Sequence, residues 1–489
     1  MYPPMKKYSP LINRIMSSPA INIFCWIAAA LPALVTVYLV CRYGVDLPYR
    51  DDWALAVRIE KIFNSSFSLN DLFAQHNAHR IFFPLLLMLP TAVLSKWNIF
   101  YWLALSLVFA IGTFLLYVYQ IRVTKKKIGD NTANLLIPAV SIMVFSQKQF
   151  INWLFGIQLI VFMSIFFVVA GIVLLSKNPF NSKYFILAAI SGFMATFSFA
   201  NGIIFWPLGV IIILLTPCSS FKQKSKYAFC WLIITAATVY LFLYKYNTSQ
   251  EVSPSLSWHT LTEIFLFIFS YLGNPLTPVN FFYFSNPLFP GSHYLPFLLG
   301  IIGFIIFSFT AFFLARQKRI PLQALMPYFC FCLYALTSSL MIAIGRVGSF
   351  GYKESLAARY VTHENLFWIG MLALIYFAWR SICDTTEPCA GTTESKNSRQ
   401  YVFILLFLIL VSLSFIASYR SQEDFFKLRD MQESIRSDFI ATPEDGFVPP
   451  VWNADEMHNE AFSIIRKRRL SVYRDTVKEG LRPDKNQKR

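Results

Sequence analysis

Three short stretches of this chain carry residue types that can do chemistry together. The first is Pro48-Tyr49-Arg50-Asp51-Asp52-Trp53. Two adjacent carboxylates suit general-base work, because a neighbouring like charge and a low-dielectric boundary both raise a carboxyl pKa. The same pair fits a structural task, with one Asp as the N-cap of a helix over 53–63. The second stretch is Gln75-His76-Asn77-Ala78-His79-Arg80, leading into Ile81-Phe82-Phe83-Pro84. His76 and His79 share a face if the stretch is helical. A metal site would need a third ligand, and none is evident nearby. Hydrogen bonding to a sugar, a phosphate or a catalytic carboxylate suits them better, and a solvated helix start is the plain alternative. The third is Gly345-Arg346-Val347-Gly348, then Lys353, then Arg359-Tyr360. Guanidinium forks hold phosphate oxygens in pairs, and a helix opening after Arg359 adds its dipole. Generic contact with anionic lipid is the competing reading.

The elements that must position these residues are membrane spans. Of 489 residues, 56% are hydrophobic and 14% charged, where a soluble domain carries roughly 25% charged residues. The run 21–40 holds no charge, and at ~1.5 Å per helical residue it covers about 30 Å of hydrocarbon. Such runs recur to residue 418 without the alternation of a β-barrel, so the fold class expected is an all-α polytopic membrane protein. The net charge of +17 does not point to nucleic acid, because the cations lie in short clusters between apolar runs, the pattern of the positive-inside rule. Most of the eight cysteines lie inside apolar runs, with no disulfide framework or zinc spacing.

With the N-terminus cytoplasmic as an uncleaved signal-anchor, about eleven spans follow, near 20–41, 99–121, 133–147, 154–175, 184–200, 202–216, 227–246, 294–315, 321–343, 361–379 and 401–418. The stretch 81–95, short and broken by Pro84 and Pro90, reads as interfacial or re-entrant, and so does 261–272. In this threading the inner loops hold eighteen Lys/Arg against four acids, +14 of the total. The outer loops are 42–98, 247–293 and 344–360. The division expected is 1–418 as the membrane domain and 419–489 as an outer tail or small helical domain, whose basic run 466–469 reads as a solvated helix face. Asn152, Gln158, Ser198 and Asn201, near outer span ends, either line a cavity or bond helix to helix.

An acidic motif just after the first span, a short amphipathic helix next and basic residues in later outer loops make the chain resemble the C-type glycosyltransferases (GT-C fold). The set Arg50-Asp51-Asp52-Trp53, His76-Asn77-Ala78-His79-Arg80 with Phe82-Phe83-Pro84, and Arg359-Tyr360 is similar to the bacterial polytopic enzymes that modify lipopolysaccharide O-antigen, the serotype-converting glucosyltransferases among them. The resemblance implies a bacterial inner-membrane enzyme with a periplasmic site and C-terminus. Its donor would be a sugar on polyprenyl (undecaprenyl) phosphate, its acceptor an O-antigen or related glycan, and its partners membrane lipids, a flippase and a donor-synthesising enzyme. Asp51 or Asp52 would be the base of an inverting displacement. Arg346, Arg359 and Lys353 would hold the leaving phosphate, and His76, His79, Arg80 and Tyr360 would complete the substrate site. No cofactor and no nucleic acid is expected, and a divalent metal is left open. The rival readings are an O-antigen polymerase or ligase, which needs no carboxylate base there, and a polyprenyl-linked glycan flippase or transporter, which would place charges inside spans. The absence of an internal repeat weighs against the latter.

Overall fold

Uncharged runs in an apolar solvent must satisfy their own backbone, so they fold as helices. In the computed structural model the first is α1 (Pro19–Tyr43), opened by the Ser18 hydroxyl accepting from Ile21 N–H at 3.3 Å with Pro19 as its first residue. The structure describes residues 18–130, 132–218, 220–247, 257–278, 294–317, 319–383, 393–441 and 456–474. After α1 come a 3₁₀ turn (Arg50–Leu55), α2 (Ala56–Phe63), α3 (Leu69–Phe73), α4 (Phe82–Ser95) and α5 (Phe100–Ile128). The middle of the chain is α6 (Leu136–Val144), α7 (Phe150–Leu154), α8 (Leu159–Lys177), α9 (Ser182–Thr196), α10 (Phe205–Leu215), α11 (Phe221–Leu243) and α12 (Trp258–Gly273). Then follow α13 (Tyr294–Gln317), α14 (Leu322–Phe350), α15 (Val361–Cys383), α16 (Thr393–Arg420), α17 (Gln422–Ala441) and α18 (Glu456–Lys467). Among the described residues no strand forms, and one isolated antiparallel bridge joins His76 to His79.

The all-α, multi-pass character is plain, and among the described residues eight helices are long and apolar enough to cross a membrane. Three of the eleven expected spans fold as shorter helices: 9 residues in α6, 15 in α9 and 11 in α10. Even α9, at ~1.5 Å per residue, falls short of about 30 Å. The cause in α6 is the polar run Ser146-Gln147-Lys148-Gln149, which ends the helix and stays buried. Gln147 Nε2 there donates to Thr36 Oγ1 at 3.1 Å and to the Phe145 carbonyl at 2.8 Å. Helix α4, at 14 residues with Pro90 inside, is also too short to span, and the 261–272 stretch lies in the 16-residue α12.

Two chain breaks, at 155–158 before α8 and at 197–204 before α10, turn toward the same end of the bundle as the 42–98 segment. Asp46 Oδ1 accepts from Ile99 N–H at 2.9 Å there, just before α5. This is the site end, and α5 runs from it to Gly129 at the far end. The tail does not fold apart. Helices α17 and α18 share the apolar core of the membrane part through Phe425, Leu428, Ile435, Phe439 and Ile465. The basic run at 466–469 is not merely solvated. Arg468 grips Glu60 with two bonds of 2.7 and 2.9 Å, Lys467 adds a third at 3.3 Å, and Arg474 meets Asp46 at 2.5 Å. The carboxyl of Glu60 is held down to about 2 by the Arg468 hydrogen bonds.

Candidate active site

The acidic turn separates its two carboxylates. Arg50 takes a left-handed backbone conformation (φ 49°), which sends successive side chains in different directions. Asp52 is fully buried. Its Oδ2 accepts from Tyr49 N–H at 2.9 Å, capping the turn, and its Oδ1 accepts from Ile157 N–H at 2.7 Å. The backbone at 156–157 can approach so closely because residue 156 is glycine: a Cβ there would lie 2.6 Å from the Trp102 ring and 3.4 Å from Asp52. Burial outweighs these hydrogen bonds and raises the Asp52 carboxyl to about 7. Asp52 thus has a structural task, but not as the N-cap of a helix over 53–63: it is the third residue of the 3₁₀ turn, bonded back to Tyr49, and it ties the turn to the 155–158 break. Asp51 is exposed on the other side and accepts from Asn77 Nδ2 at 3.3 Å.

Asp51 faces a cavity of about 380 Å³, which it lines together with His76, His79, Gln158, Asn201, Tyr246, Arg346, Arg359 and Tyr360. It is the one carboxylate in that lining among the described residues. The rest of the lining is largely apolar, with Ile160, Val161, Phe199, Phe242, Met341 and Ile342. A smaller cavity of about 80 Å³ shares Asp51, Ile157, Gln158 and Arg359 with it and adds Arg50. A concave, mostly apolar pocket with a few convergent polar groups is the form of a ligand site.

The histidines do not sit on a helix. His76 N–H donates to the His79 carbonyl at 2.8 Å and His79 N–H to the His76 carbonyl at 2.9 Å. They close a tight turn with Asn77 left-handed (φ 49°). His79 Nδ1 accepts from Ala200 N–H at 3.3 Å, and its ring stacks on Phe199 at 4.0 Å. That bond puts the His79 proton on Nε2. Burial drives His76 down to about 4 and His79 to about 3, and for His79 the positive charge of Arg346 and Arg359, and of His76 and His363 when protonated, adds to the effect. Both rings are thus neutral near pH 7. The turn is held from outside as well. The Gln75 side chain pairs with both backbone groups of Asn247 (3.0 and 2.9 Å), and Tyr246 Oη donates to the Ala78 carbonyl at 3.1 Å.

Arg80 is placed otherwise than expected. Nε donates to the Phe242 carbonyl at 2.7 Å, Nη1 to Phe73 at 2.5 Å and Nη2 to Tyr244. Its fork is spent on carbonyls at the ends of α11 (Phe242, Tyr244) and α3 (Phe73), where groups lack partners inside their helix. It does not line the cavity. Lys353 is exposed and outside the lining too. Arg346 lies in the last turns of α14 rather than in a 344–360 loop, and it makes no ion pair among the described residues. Arg359 is paired with Glu354, a fully buried carboxylate to which Tyr360 Oη also donates at 3.1 Å. Burial raises the Glu354 carboxyl despite these partners.

Six of the nine expected site residues thus meet in one cavity: Asp51, His76, His79, Arg346, Arg359 and Tyr360. Asp52, Arg80 and Lys353 stand outside it. Sequence reasoning missed Glu354 and His363. Glu354 was visible as an acid five residues before Arg359, the spacing of one short turn. His363 Nδ1 bonds Tyr334 Oη at 3.1 Å, and its ring stacks on Phe199 at 5.3 Å, the same ring that His79 stacks on. No group of three His, Cys, Asp or Glu able to hold a metal forms among the described residues. No protein-family model, characterised protein or solved structure matches the chain.

Proposed function

We propose that this chain is a C-type membrane glycosyltransferase that moves a sugar, glucose by the resemblance, from polyprenyl phosphate to an O-antigen or related glycan. The observation that carries the reading is that one carboxylate, Asp51, and two guanidiniums, Arg346 and Arg359, line one cavity together with apolar residues. The acceptor hydroxyl gives its proton to Asp51 and its oxygen attacks the anomeric carbon. The bond from that carbon to the phosphate oxygen breaks on the opposite side, and the electron pair leaves with the phosphate. Arg346 and Arg359 meet the charge that develops there, and their fixed placement does the work of reorganising solvent in advance. His79, neutral with its proton on Nε2, supplies a hydrogen-bond donor. The apolar part of the lining takes the first isoprene units. Asp52 positions the base and does not touch substrate.

In this reading the site end is periplasmic, the membrane is the bacterial inner membrane, and a flippase and a donor-synthesising enzyme deliver the lipid-linked sugar. The test is glycan analysis of lipopolysaccharide from a host expressing wild type or Asp51→Asn at matched protein levels. The expected result is an added hexose whose transfer falls about 10²- to 10⁴-fold in the variant, the range for a lost general base. A modification that survives in Asp51→Asn sinks the assignment of the base. Longer O-antigen chains without an added hexose favour a polymerase, and unchanged glycans with wild type favour a transporter.

A further inference from the structure

The far end of the bundle carries a concavity that the proposed chemistry does not use. It measures about 580 Å³ and is lined by Arg122, Lys125 and Lys126 of α5 with Gly129 and Asn134. Residues 122, 125 and 126 are spaced i, i+3, i+4, so one helix face presents all three within about 6 Å of one another. A helix C-terminus accounts for cations in its last turn, and Lys125, Lys126 and Lys127 already fill that role. Arg122, a turn earlier, is surplus to it. None of the four forms an ion pair among the described residues. Asp130, the acid that follows them in the chain, is buried and engaged by Thr132, Tyr376 and Arg380.

Asn134 Nδ2 donates to Asn22 Oδ1 at 2.5 Å, which sets the start of α1 beside the concavity. The guanidinium of Arg122 lies 5.3 Å from the centre of the Trp26 ring. From there exposed apolar side chains run along both helices, Ile23 and Ile27 on α1 and Leu115 on α5. A ligand with anionic oxygens at one end and hydrocarbon at the other matches both parts. Basic pockets between helices at a membrane surface hold lipid phosphates in this way.

We propose that this concavity binds one anionic phospholipid bearing two phosphates, a diphosphatidylglycerol, with its acyl chains on α1 and α5. Three cations on one face exceed the charge of a single phosphodiester, and two phosphodiesters nearly balance them. The site is independent of the transferase reading.

The test uses the full-length chain in detergent, stripped of lipid, with retained lipids counted by native mass spectrometry. Diphosphatidylglycerol, phosphatidylglycerol and phosphatidylcholine are titrated separately. One diphosphatidylglycerol is expected to bind about 10-fold tighter than phosphatidylglycerol, and Arg122→Gln/Lys125→Gln/Lys126→Gln to weaken it roughly 100-fold, the sum for three surface cations. The control Lys222→Gln/Lys224→Gln/Lys226→Gln, on α11, is expected to leave that affinity unchanged. Equal affinity for the two anionic lipids, or equal loss in both triple variants, overturns the proposal. If the site triple does not fold, Lys126→Gln alone, at an exposed position, is expected to cost about 5-fold, and no loss there overturns it as well.

Discussion

The two ends of the bundle differ in how their buried acids are held and in where the backbone is strained. At the far end, Asp130 has both oxygens occupied. Oδ1 accepts from the Thr132 N–H and hydroxyl at 2.8 Å each, and Oδ2 from the Tyr376 hydroxyl at 2.5 Å with Arg380 at 3.2 Å. At the site end, His76 Nε2, His363 Nε2 and Glu354 Oε2 are buried with no hydrogen-bond partner. Backbone strain divides the same way. Among the described residues, Arg50, Ser65, Asn77, Lys96, Trp97, Lys245, Arg469 and Ser471 are the non-glycine residues with positive φ, and all belong to the 42–98 segment, its neighbour after α11, or the tail packed on them. The far end uses Gly129 for its left-handed residue, where the conformation costs little. Unmade hydrogen bonds and strained backbone each cost about 1–3 kcal/mol. The confinement of strained non-glycine backbone to one end, among the described residues, marks that end as the place where residues are held for a ligand rather than for stability.

The sharpest way to break this comparison is to exchange the roles of two arginines. Arg80 is nearly buried and bonds three carbonyls, so Arg80→Ala leaves three acceptors unpaired and is expected to destabilise the protein by about 3 kcal/mol or more. Thermal unfolding in detergent measures it. Arg346 faces the cavity without an ion pair, so Arg346→Gln is expected to unfold within about 0.5 kcal/mol of wild type while transfer falls. A stable Arg80→Ala or an unstable Arg346→Gln would erase the distinction between scaffold and site.

A pH profile sharpens the contrast between the two aspartates. The Asp52 carboxyl is raised to about 7 by burial, so the folded protein binds that proton more tightly than the unfolded chain does. Its contribution is fully present below the ordinary carboxylate range and is lost as pH rises to about 7. Apparent melting temperature is therefore expected to fall across that window and level off above it. Asp52→Asn should flatten this part of the profile. Asp51→Asn removes the neighbouring charge that helps raise Asp52 and should move the upper end of the window to lower pH. A wild-type profile that is flat through the window, or identical in all three proteins, would show that Asp52 is not a buried titrating cap.

How far the site could be read from residues alone follows from where each partner lies. Asp51, His76, His79, Arg346 and Arg359 stood out because polar chemistry is scarce among long apolar runs. The choice between Asp51 and Asp52 did not, since adjacent residues in a turn look alike until φ at Arg50 and the Ile157 N–H, 105 residues away, are known. Arg80 looked like a ligand because its true partners are carbonyls, which carry no side-chain signature. The helical, multi-pass fold was legible from hydropathy. The breaks at 146–158 and 197–204 were not, because buried Gln147, Lys148 and Gln149 find their partners in distant helices.

The tail offers the smallest and most local test of how the site is held. Glu60 sits on α2, directly after the acidic turn, and receives two bonds from Arg468 and one from Lys467. The Trp53 ring lies 5.4 Å from that of Phe439, which stacks at 5.2 Å on Phe462 of α18. The acidic turn is therefore clamped by residues more than 350 positions later, and the tail acts on Asp51 by fixing what lies behind it. The Glu60–Arg468 pair is partly exposed, so a double-mutant cycle with Glu60→Gln and Arg468→Gln is expected to give a small favourable coupling that salt weakens. Donor affinity should stay near wild type in both single variants, because neither residue lines the cavity. Coupling near zero would mean that the aromatic contacts alone hold the tail to the turn, whereas a change in acceptor preference in either variant would give the tail a part in recognition.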